Sequence, residues 1–254
     1  MRIALVVFLL GTLLGCVTLG DADQPIATQL VSAPQPAQRL VVVLPGFGDG
    51  VRALERTGIV AAVQSAWPDS DVVLAELTYA YYQEGKAPRR LHEEIIAPAR
   101  RRGYSEVWLC GASMGGMGVL LYDLSYPRNV DGIVLLAPYL GERALLEEIS
   151  AAGGLSQWNP GARRELGPDT WQRELWRHLQ GWMRDPALSR NVWMAYGEAD
   201  RLRMAMPVLA PALRAENILV RPGAHSWSVW TPAMREILTL AGRREISSPP
   251  SSLP

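Results

Sequence analysis

The string Gly111-Ala112-Ser113-Met114-Gly115 places a serine between two glycines, directly after the strand-like run EVWLC. A serine on a tight turn between a strand and a helix can serve as a nucleophile, and small flanking residues allow such a turn. About one chain of this length in ten holds a G-x-S-x-G string by chance, because glycine and serine are common. Ser113 is therefore a nucleophile only if a base and an acid accompany it.

The chain has three histidines from which a base for Ser113 could come. His92 falls in a helical pattern, where a surface position is expected, and it lacks the second histidine of an HExxH zinc motif. His178 belongs to a later predicted helix and at most lines a pocket. His225, in VRPGAHSW, follows a short strand and a Pro-Gly turn, on the kind of loop that carries functional groups on a rigid scaffold. We predict that His225 is the base.

An acid next to the base would fix the imidazole tautomer and stabilise the imidazolium. The strand-like run VWMAYG is followed by Glu198 and Asp200. We predict Asp200 as the partner of His225, with Glu198 as the alternative and a helix-capping role open for either.

A second glycine-rich loop, Gly46-Phe47-Gly48, leaves the apolar run RLVVVLP. Its glycines would let the backbone approach a substrate, so that the N–H of Phe47 pairs with the N–H of Met114 to hold an oxyanion. A simple glycine turn is the alternative. A phosphate-binding loop is excluded, because no GxxxxGK[ST] pattern occurs in the chain.

Strand-like and helix-like patterns alternate through the middle of the chain and would position these residues. The predicted strands cover residues 39–45, 71–77, 106–110, 130–139, 192–197 and 218–223. The predicted helices cover residues 51–67, 89–104 with a kink at Pro98, 115–127 and 226–242. This alternation predicts an α/β fold with a mostly parallel sheet, helices on both faces and ligands at the carboxyl ends of the strands. The predicted core spans residues 39–140 and 191–242.

Residues 141–190 interrupt the alternation, because they contain no convincing strand. An apolar helix face is formed there by Trp171, Leu175, Leu179 and Trp182. We predict a helical cap over the strand ends that shapes an apolar substrate pocket, with helices packed on the sheet as core as the alternative.

The N-terminus has the pattern of an export signal. One arginine precedes the apolar run Ile3 to Leu14, which is too short to span a bilayer as a mature helix. Leu13-Leu14-Gly15-Cys16 resembles the lipobox of bacterial lipoproteins, in which the cysteine is acylated. We predict a signal peptide over residues 1–15 and a lipid anchor on Cys16, with an ordinary cleaved signal or a retained anchor as alternatives.

The remaining terminal segments have the composition of linkers. Residues 16–38 are predicted to be a tether between lipid and domain, and residues 243–254 a disordered tail. Val17 takes the place of the aspartate that would retain a lipoprotein in the inner membrane, so the resemblance favours the outer membrane, facing the periplasm, in a Gram-negative host.

The charge balance of the chain argues against nucleic-acid binding. Basic and acidic residues balance at 25 each, so that no overall positive field would attract nucleic acid.

Cys110, in a predicted strand, is expected to be a small packing residue, and an acylated Cys16 would leave it without a disulfide partner. We predict no metal and no cofactor.

Four motifs in this order, LPGFGDG, CGASMGG, YGEADR and PGAHSW, resemble those of α/β-hydrolase fold serine hydrolases and are similar to bacterial esterases and lipases. The order serine, aspartate, histidine also matches that family. The resemblance implies an acyl-enzyme on Ser113 and a small-molecule or lipid carboxylic ester as substrate. An acyltransferase, a thioesterase or a peptidase with the same triad stays open, as does a binding module without turnover.

Overall fold

A seven-stranded sheet forms the centre of the protein in a computed structural model, which describes residues 20–247. The strands are β1 Ala27–Val31, β2 Arg39–Leu44, β3 Ser70–Glu76, β4 Glu106–Ala112, β5 Gly132–Leu136, β6 Val192–Gly197 and β7 Ile218–Arg221. Their order is β1-β3-β2-β4-β5-β6-β7, and all neighbours are parallel except β1 and β3. The predicted α/β fold with a mostly parallel sheet is confirmed.

Ten α-helices lie within the described residues. They are α1 Val51–Arg56, α2 Ile59–Ala66, α3 Tyr79–Gln83, α4 Ala87–Leu91, α5 Ala97–Arg101, α6 Met114–Ser125, α7 Arg143–Ala151, α8 Trp171–Arg184, α9 Met206–Leu209 and α10 Trp227–Ser247. Short 3₁₀ turns cover Arg203–Ala205, Ala210–Ala212 and Ala215–Asn217. No helix in this part of the chain is both long enough and apolar enough to cross a membrane.

The central strands are buried on both faces, which explains their nearly continuous apolar sequences. On β2, Val41 and Val43 face a core that is completed by α1, α2 and α10. Val42 and Leu44 face the opposite core, which contains residues of α4, α6 and α8. Because successive strand residues point to opposite faces, this single run contributes to both cores.

The segment predicted as a tether, residues 16–38, differs from that prediction, because it contains β1. This strand pairs antiparallel with β3 along the edge of the sheet, from Ala27 opposite Glu76 to Val31 opposite Val72. It lacks an apolar pattern because its side chains are half-buried or exposed. The pairing comes instead from the open backbone edge of β3. Residues 1–19, including the predicted signal peptide and Cys16, lie outside the described residues.

The helix predicted around Pro98 continues without a break from α4 to α5, and its type changes just before that residue. A π-helical turn, His92–Ile96, joins α4 to α5 directly before Pro98. Proline has no N–H and its ring crowds the carbonyl four residues earlier, so a wider turn at this point lets the helix continue.

Two glycines behave differently from the predicted pattern. The helix predicted over residues 51–67 is divided into α1 and α2 at Gly58, whose φ of 75° is left-handed. The last helix, in contrast, continues through Gly242 to Ser247, so that residues 243–247, predicted as part of a disordered tail, are helical. A Cβ at position 242 would lie 2.9 Å from the indole nitrogen of Trp67, which indicates that this glycine serves close packing and does not end the helix.

The region 141–190 contains α7 and α8 and no strand, but most of α8 packs as core. Leu175, Leu179 and Trp182 are fully or almost fully buried in the same apolar cluster as residues of α6. The indole N–H of Trp176 donates to the carbonyl of Leu140 at 2.9 Å, which fixes the helix to the end of the β5 loop. From this region, Glu142, the loop before α8 and the start of α8 contribute to the site described below.

Candidate active site

Ser113 forms the sharp turn between β4 and α6. Its φ of 54° and ψ of −114° are unfavourable for a residue with a side chain and cost of order 1–3 kcal/mol. Two backbone hydrogen bonds hold the turn: the Ser113 N–H donates to Leu136 at 2.9 Å, and the Ser113 carbonyl accepts from the N–H of Tyr139 at 2.8 Å. The strained serine is therefore fixed to the end of β5.

The glycines on either side of Ser113 are required by close backbone contact. A Cβ at Gly111 would lie 2.2 Å from the carbonyl oxygen of Gly115. A Cβ at Gly115 would lie 2.5 Å from the carbonyl oxygen of Leu44 in β2. Because these neighbours are backbone atoms, they cannot move aside as a side chain would. The predicted tight turn is thus present, and it depends on both glycines.

Asp200 and His225 lie together at the ends of β6 and β7. The Nδ1 atom of His225 is 2.9 Å from each carboxylate oxygen of Asp200, and Asp200 also accepts the N–H of Leu202 at 2.8 Å. The Asp200 side chain is fully buried and that of His225 is 10% exposed. The alternative acid, Glu198, is exposed and is not the carboxylate bound to His225.

The other ring nitrogen of His225 is left for chemistry. Nε2 is buried and has no hydrogen-bond partner among the described residues. Trp230 packs edge-on against the ring at 4.7 Å between centroids, which supports its orientation. A buried polar atom without a partner is costly, so this nitrogen suits a group that arrives with the substrate or rotates toward it.

A series of contacts brings the His225 loop to the Ser113 turn. The indole N–H of Trp227, two residues after His225, donates to Asp49 at 2.9 Å. Gly46 lies in the same loop as Asp49. A Cβ added at Gly46 would lie 3.9 Å from Oδ2 of Asp49, the oxygen that accepts from Trp227, and 3.5 Å from the Cβ of Ser113. The loops after β2, β4 and β7 therefore meet at one edge of the sheet.

The two predicted oxyanion donors lie near Ser113 by different routes, Met114 as its neighbour in the chain and Phe47 on the loop after β2. Met114 is the first residue of α6, and Phe47 follows Gly46, where an added Cβ would lie 3.5 Å from the Cβ of Ser113. Within residues 20–247, neither the N–H of Phe47 nor that of Met114 donates a hydrogen bond to another residue. Both groups are available, and their role as oxyanion donors stays a prediction.

A cleft of about 740 Å³ opens at Ser113. One face of α6 forms its floor, through Met114, Met117 and Leu121. From Ser113 to Leu121 this face extends about 12 Å along the helix. Aromatic and aliphatic residues form the walls: Phe47, Tyr79, Tyr82, Tyr139, Leu166 and Trp171. The region 141–190 therefore lines the pocket through Glu142 and through the segment that ends at the start of α8.

Tyr82 carries a polar group into this apolar wall. Its hydroxyl is buried without a hydrogen-bond partner among the described residues, and burial raises the pKa of the Tyr82 hydroxyl. A Cβ at Gly118 would lie 2.2 Å from the hydroxyl oxygen, so the glycine allows the ring to pack against α6. No local motif predicts this contact, since Tyr82 and Gly118 lie 36 positions apart along the chain.

The other two histidines lie elsewhere. His92 is partly buried, is 3.1 Å from the Tyr122 hydroxyl and stacks on Tyr126, so it has a packing role. His178 forms a second histidine–carboxylate pair, with its Nε2 atom 2.7 Å from Asp123. Sequence reasoning missed this pair, because Asp123 and His178 belong to different helices and no local motif links them.

No group of three or more side chains able to bind a metal ion occurs between residues 20 and 247. Cys110 is fully buried in β4, and burial raises the pKa of its thiol. A buried thiol of raised pKa is inert, which agrees with the predicted packing role.

Comparison with known proteins gives one partial family match. Residues 91–166 match a family described as "Serine aminopeptidase, S33". This range includes Ser113 but neither Asp200 nor His225. No curated protein matches the chain in sequence.

Solved structures match much more of the chain. Est1E from Butyrivibrio proteoclasticus is 16% identical, with a TM-score of 0.56 over 88% of this chain and 95% of Est1E. A monoacylglycerol lipase from Paleococcus ferrophilus is 14% identical, with a TM-score of 0.57 over 85% and 99%. An S-formylglutathione hydrolase from Agrobacterium tumefaciens is 15% identical, with a TM-score of 0.57 over 86% and 90%. Together with the sheet order and the strained serine turn, these similarities show that the chain has the α/β-hydrolase fold.

Proposed function

We propose that the protein is a serine hydrolase that cleaves carboxylic esters through an acyl-enzyme on Ser113. The observation that carries this proposal is the buried Asp200–His225 pair, whose free Nε2 atom lies on a loop that meets the strained Ser113 turn. A carboxylate on Nδ1 orients the ring and leaves Nε2 to accept the serine proton.

The reaction then follows from the groups at this edge of the sheet. The Ser113 hydroxyl oxygen attacks the ester carbonyl while His225 takes its proton, and the N–H groups of Phe47 and Met114 stabilise the oxyanion. Collapse of the tetrahedral intermediate releases the alcohol, which receives the proton from His225. Water, activated by the same imidazole, then hydrolyses the acyl-enzyme and restores Ser113.

The cleft supports an apolar acyl or aromatic portion in the substrate. Its floor and walls are made of methionine, leucine and aromatic side chains, and among the described residues that line it only Glu142 and Arg201 are charged. The similar structures include a monoacylglycerol lipase and an S-formylglutathione hydrolase, which supports an ester or a thioester as the scissile group.

Labelling with a fluorophosphonate probe tests the nucleophile directly. The parent chain should form a covalent adduct, and Ser113→Ala should form none. Ser226→Ala is the matched control, because Ser226 is adjacent to His225 in sequence but its hydroxyl is bonded to that of Ser228. Persistent labelling of Ser113→Ala, or loss of labelling in Ser226→Ala, would assign the nucleophile elsewhere.

An aminopeptidase is the second candidate. The partial family match carries that description, and the carboxylate of Glu142 lines the cleft, where it could hold a free substrate amine. A panel of esters, thioesters and aminoacyl amides of matched acyl size separates these activities. Glu142→Gln should leave ester turnover nearly unchanged. If the protein is an aminopeptidase, the same substitution should lower turnover of aminoacyl amides, because the carboxylate that holds the substrate amine is lost. The same panel with an added alcohol acceptor distinguishes an acyltransferase.

We also propose that the chain is exported and anchored to a bacterial membrane by acylation of Cys16. The support is the lipobox-like Leu13-Leu14-Gly15-Cys16 after an apolar signal. Metabolic labelling with a fatty acid should mark the parent chain and not Cys16→Ser. Equal labelling of the two chains would place the lipid at another residue.

A further inference from the structure

Exposed apolar side chains are concentrated at the opening of the cleft. Six large hydrophobic residues are exposed within the described chain: Leu30, Phe47, Tyr79, Leu166, Met204 and Val220. Three of them, Phe47, Tyr79 and Leu166, also line the Ser113 cleft, and we call these three the mouth surface. The rings of Phe47 and Tyr79 pack edge to face at 5.8 Å between centroids. Grouped exposure of this kind marks an interaction surface, whereas single exposed residues do not.

The N-terminal segment of the domain is held against the α3–α4 region. The hydroxyl of Tyr81 donates to the carbonyl of Gln24 at 2.7 Å. A guanidinium nitrogen of Arg90 donates to the carbonyl of Ala22 at 2.8 Å. Lys86 forms an ion pair with Asp23 at 2.6 Å. These contacts fix the path of the chain between β1 and residue 20.

That path ends beside the mouth surface. A Cβ at Gly20 would lie 2.1 Å from the hydroxyl oxygen of Thr78, so the backbone at Gly20 is packed directly on Thr78. The next residue, Tyr79, belongs to the mouth surface. Cys16 precedes Gly20 by four residues, which span at most about 14 Å even when fully extended. An acyl anchor on Cys16 would therefore bring a membrane to the side of the molecule on which the cleft opens.

We propose that the mouth surface docks on a lipid bilayer and that the enzyme takes ester substrates from the membrane to which it is anchored. The identity of the substrate rests on the proposed ester hydrolysis, the anchoring rests on the proposed acylation of Cys16, and the orientation rests on the mouth surface and the position of Gly20. Arg201 is the only cationic side chain among the described residues that line the cleft, and Glu142 offsets its charge. We therefore expect apolar contact to drive docking, without a need for anionic lipid.

Site-specific fluorescence tests this orientation in the full chain. Single cysteines replace Tyr79 or Leu166 in the mouth surface, and Leu30 or Val220 as control positions that are exposed on the edge strands β1 and β7. A thiol-reactive, environment-sensitive dye is attached to each. Cys110 is fully buried and should not react, and the parent chain measures any labelling at Cys16.

The labelled proteins are mixed with phosphatidylcholine vesicles that contain a doxyl-lipid quencher. Side chains that enter the boundary between headgroups and acyl chains by about 5–10 Å should lose about half of their emission, whereas the control positions should lose almost none. Equal quenching at all four positions, or none in the mouth surface, would overturn the proposal. A blue shift without lipid quenching would also overturn it, because the surface would then be covered by protein. Repeating the measurement with Ser113→Ala separates docking from turnover, so that failure of the proposed hydrolysis is seen independently.

A second experiment links docking to substrate access. Met204 is 53% exposed, lies outside both the cleft lining and the three-residue mouth surface, and follows the cleft residue Leu202 by two positions, so we expect it to extend the apolar area that docks. Met204→Ser should lower turnover of a long-chain ester embedded in phosphatidylcholine vesicles by about fivefold, because less apolar surface is removed from water. Its turnover of a short soluble ester, and both activities of Val220→Ser, should stay unchanged. An equal loss on both substrates would contradict the proposal.

Discussion

Two histidine–carboxylate pairs lie at opposite ends of the parallel strands. They differ in the ring nitrogen that contacts the carboxylate. His225 contacts Asp200 through Nδ1, on loops that follow β6 and β7. His178 contacts Asp123 through Nε2, and the two residues lie on α8 and α6. The second pair lines a separate cavity of about 190 Å³ beside Gly132, the first residue of β5. The distances are similar, so the hydrogen bond alone does not define a catalytic site.

The surroundings of the two pairs explain the difference in proposed role. His225 keeps Nε2 free, and its loop meets the strained turn of Ser113. Asp123 lies on the same helix as the serine turn but ten residues later, which is about 15 Å along the helix axis. His178 and Asp123 connect α8 to α6 and therefore fasten the region 141–190 to the body of the domain. Position at the carboxyl ends of the strands distinguishes the proposed base from a structural histidine.

The largest expected effect is on kcat, and it distinguishes His225 from His178. Ser113→Ala and His225→Ala should each lower kcat by about 10⁴- to 10⁶-fold, because each removes a group that the proposed chemistry needs. His178→Ala should stay within a few-fold of the parent chain. Steady-state turnover of a short soluble ester measures all three. Activity near that of the parent chain in His225→Ala, or a large loss in His178→Ala, would reverse the assignment.

The next comparison concerns the two acids. Asp200→Asn should lower kcat by about 10³- to 10⁴-fold, because the amide favours the wrong imidazole tautomer. Asp123→Asn should change kcat only slightly, because its histidine takes no part in the reaction. Circular dichroism of both variants controls for folding. Similar kinetic losses in the two variants would show that the Asp123 pair also supports catalysis.

The pair of His178 and Asp123 should matter more for stability than for catalysis. His178→Ala leaves the partly buried carboxylate of Asp123 without its partner and should lower the free energy of unfolding by about 1–3 kcal/mol. Urea unfolding of His178→Ala, Asp123→Asn and the double variant gives the coupling energy between the two side chains. A coupling energy near zero would mean that the pair does not fasten α8 to α6.

The smallest expected effect concerns a single hydroxyl in the cleft. Tyr82→Phe removes a buried oxygen that has no hydrogen-bond partner among the described residues. It should raise the free energy of unfolding by up to about 1 kcal/mol, because a desolvated polar group is lost and the ring still packs against Gly118. Thermal unfolding measures the change. A decrease in stability would indicate that the hydroxyl has a partner in solution, such as an ordered water.

Local sequence patterns were enough to predict the class of fold and the edge of the sheet that holds the candidate site. The runs around Val41 and Val134 are apolar because both faces of these strands are buried, and local patterns report such burial. Ser113, Asp200 and His225 each follow a predicted strand, and the carboxyl ends of parallel strands share one edge. The roles of these residues stay predictions, but their meeting at one edge followed from local sequence and a general rule of topology.

Contacts between distant segments account for the features that those patterns did not predict. β1 has no apolar pattern because backbone pairing with β3 forms it, and Gly242 continues a helix because Trp67 packs there. The approach of Gly20 to Thr78 and the His178–Asp123 pair are likewise invisible in sequence. Local propensity reports how a residue meets solvent and its near neighbours. Which distant segment it meets is decided by long-range packing, for which a single sequence carries no local signal.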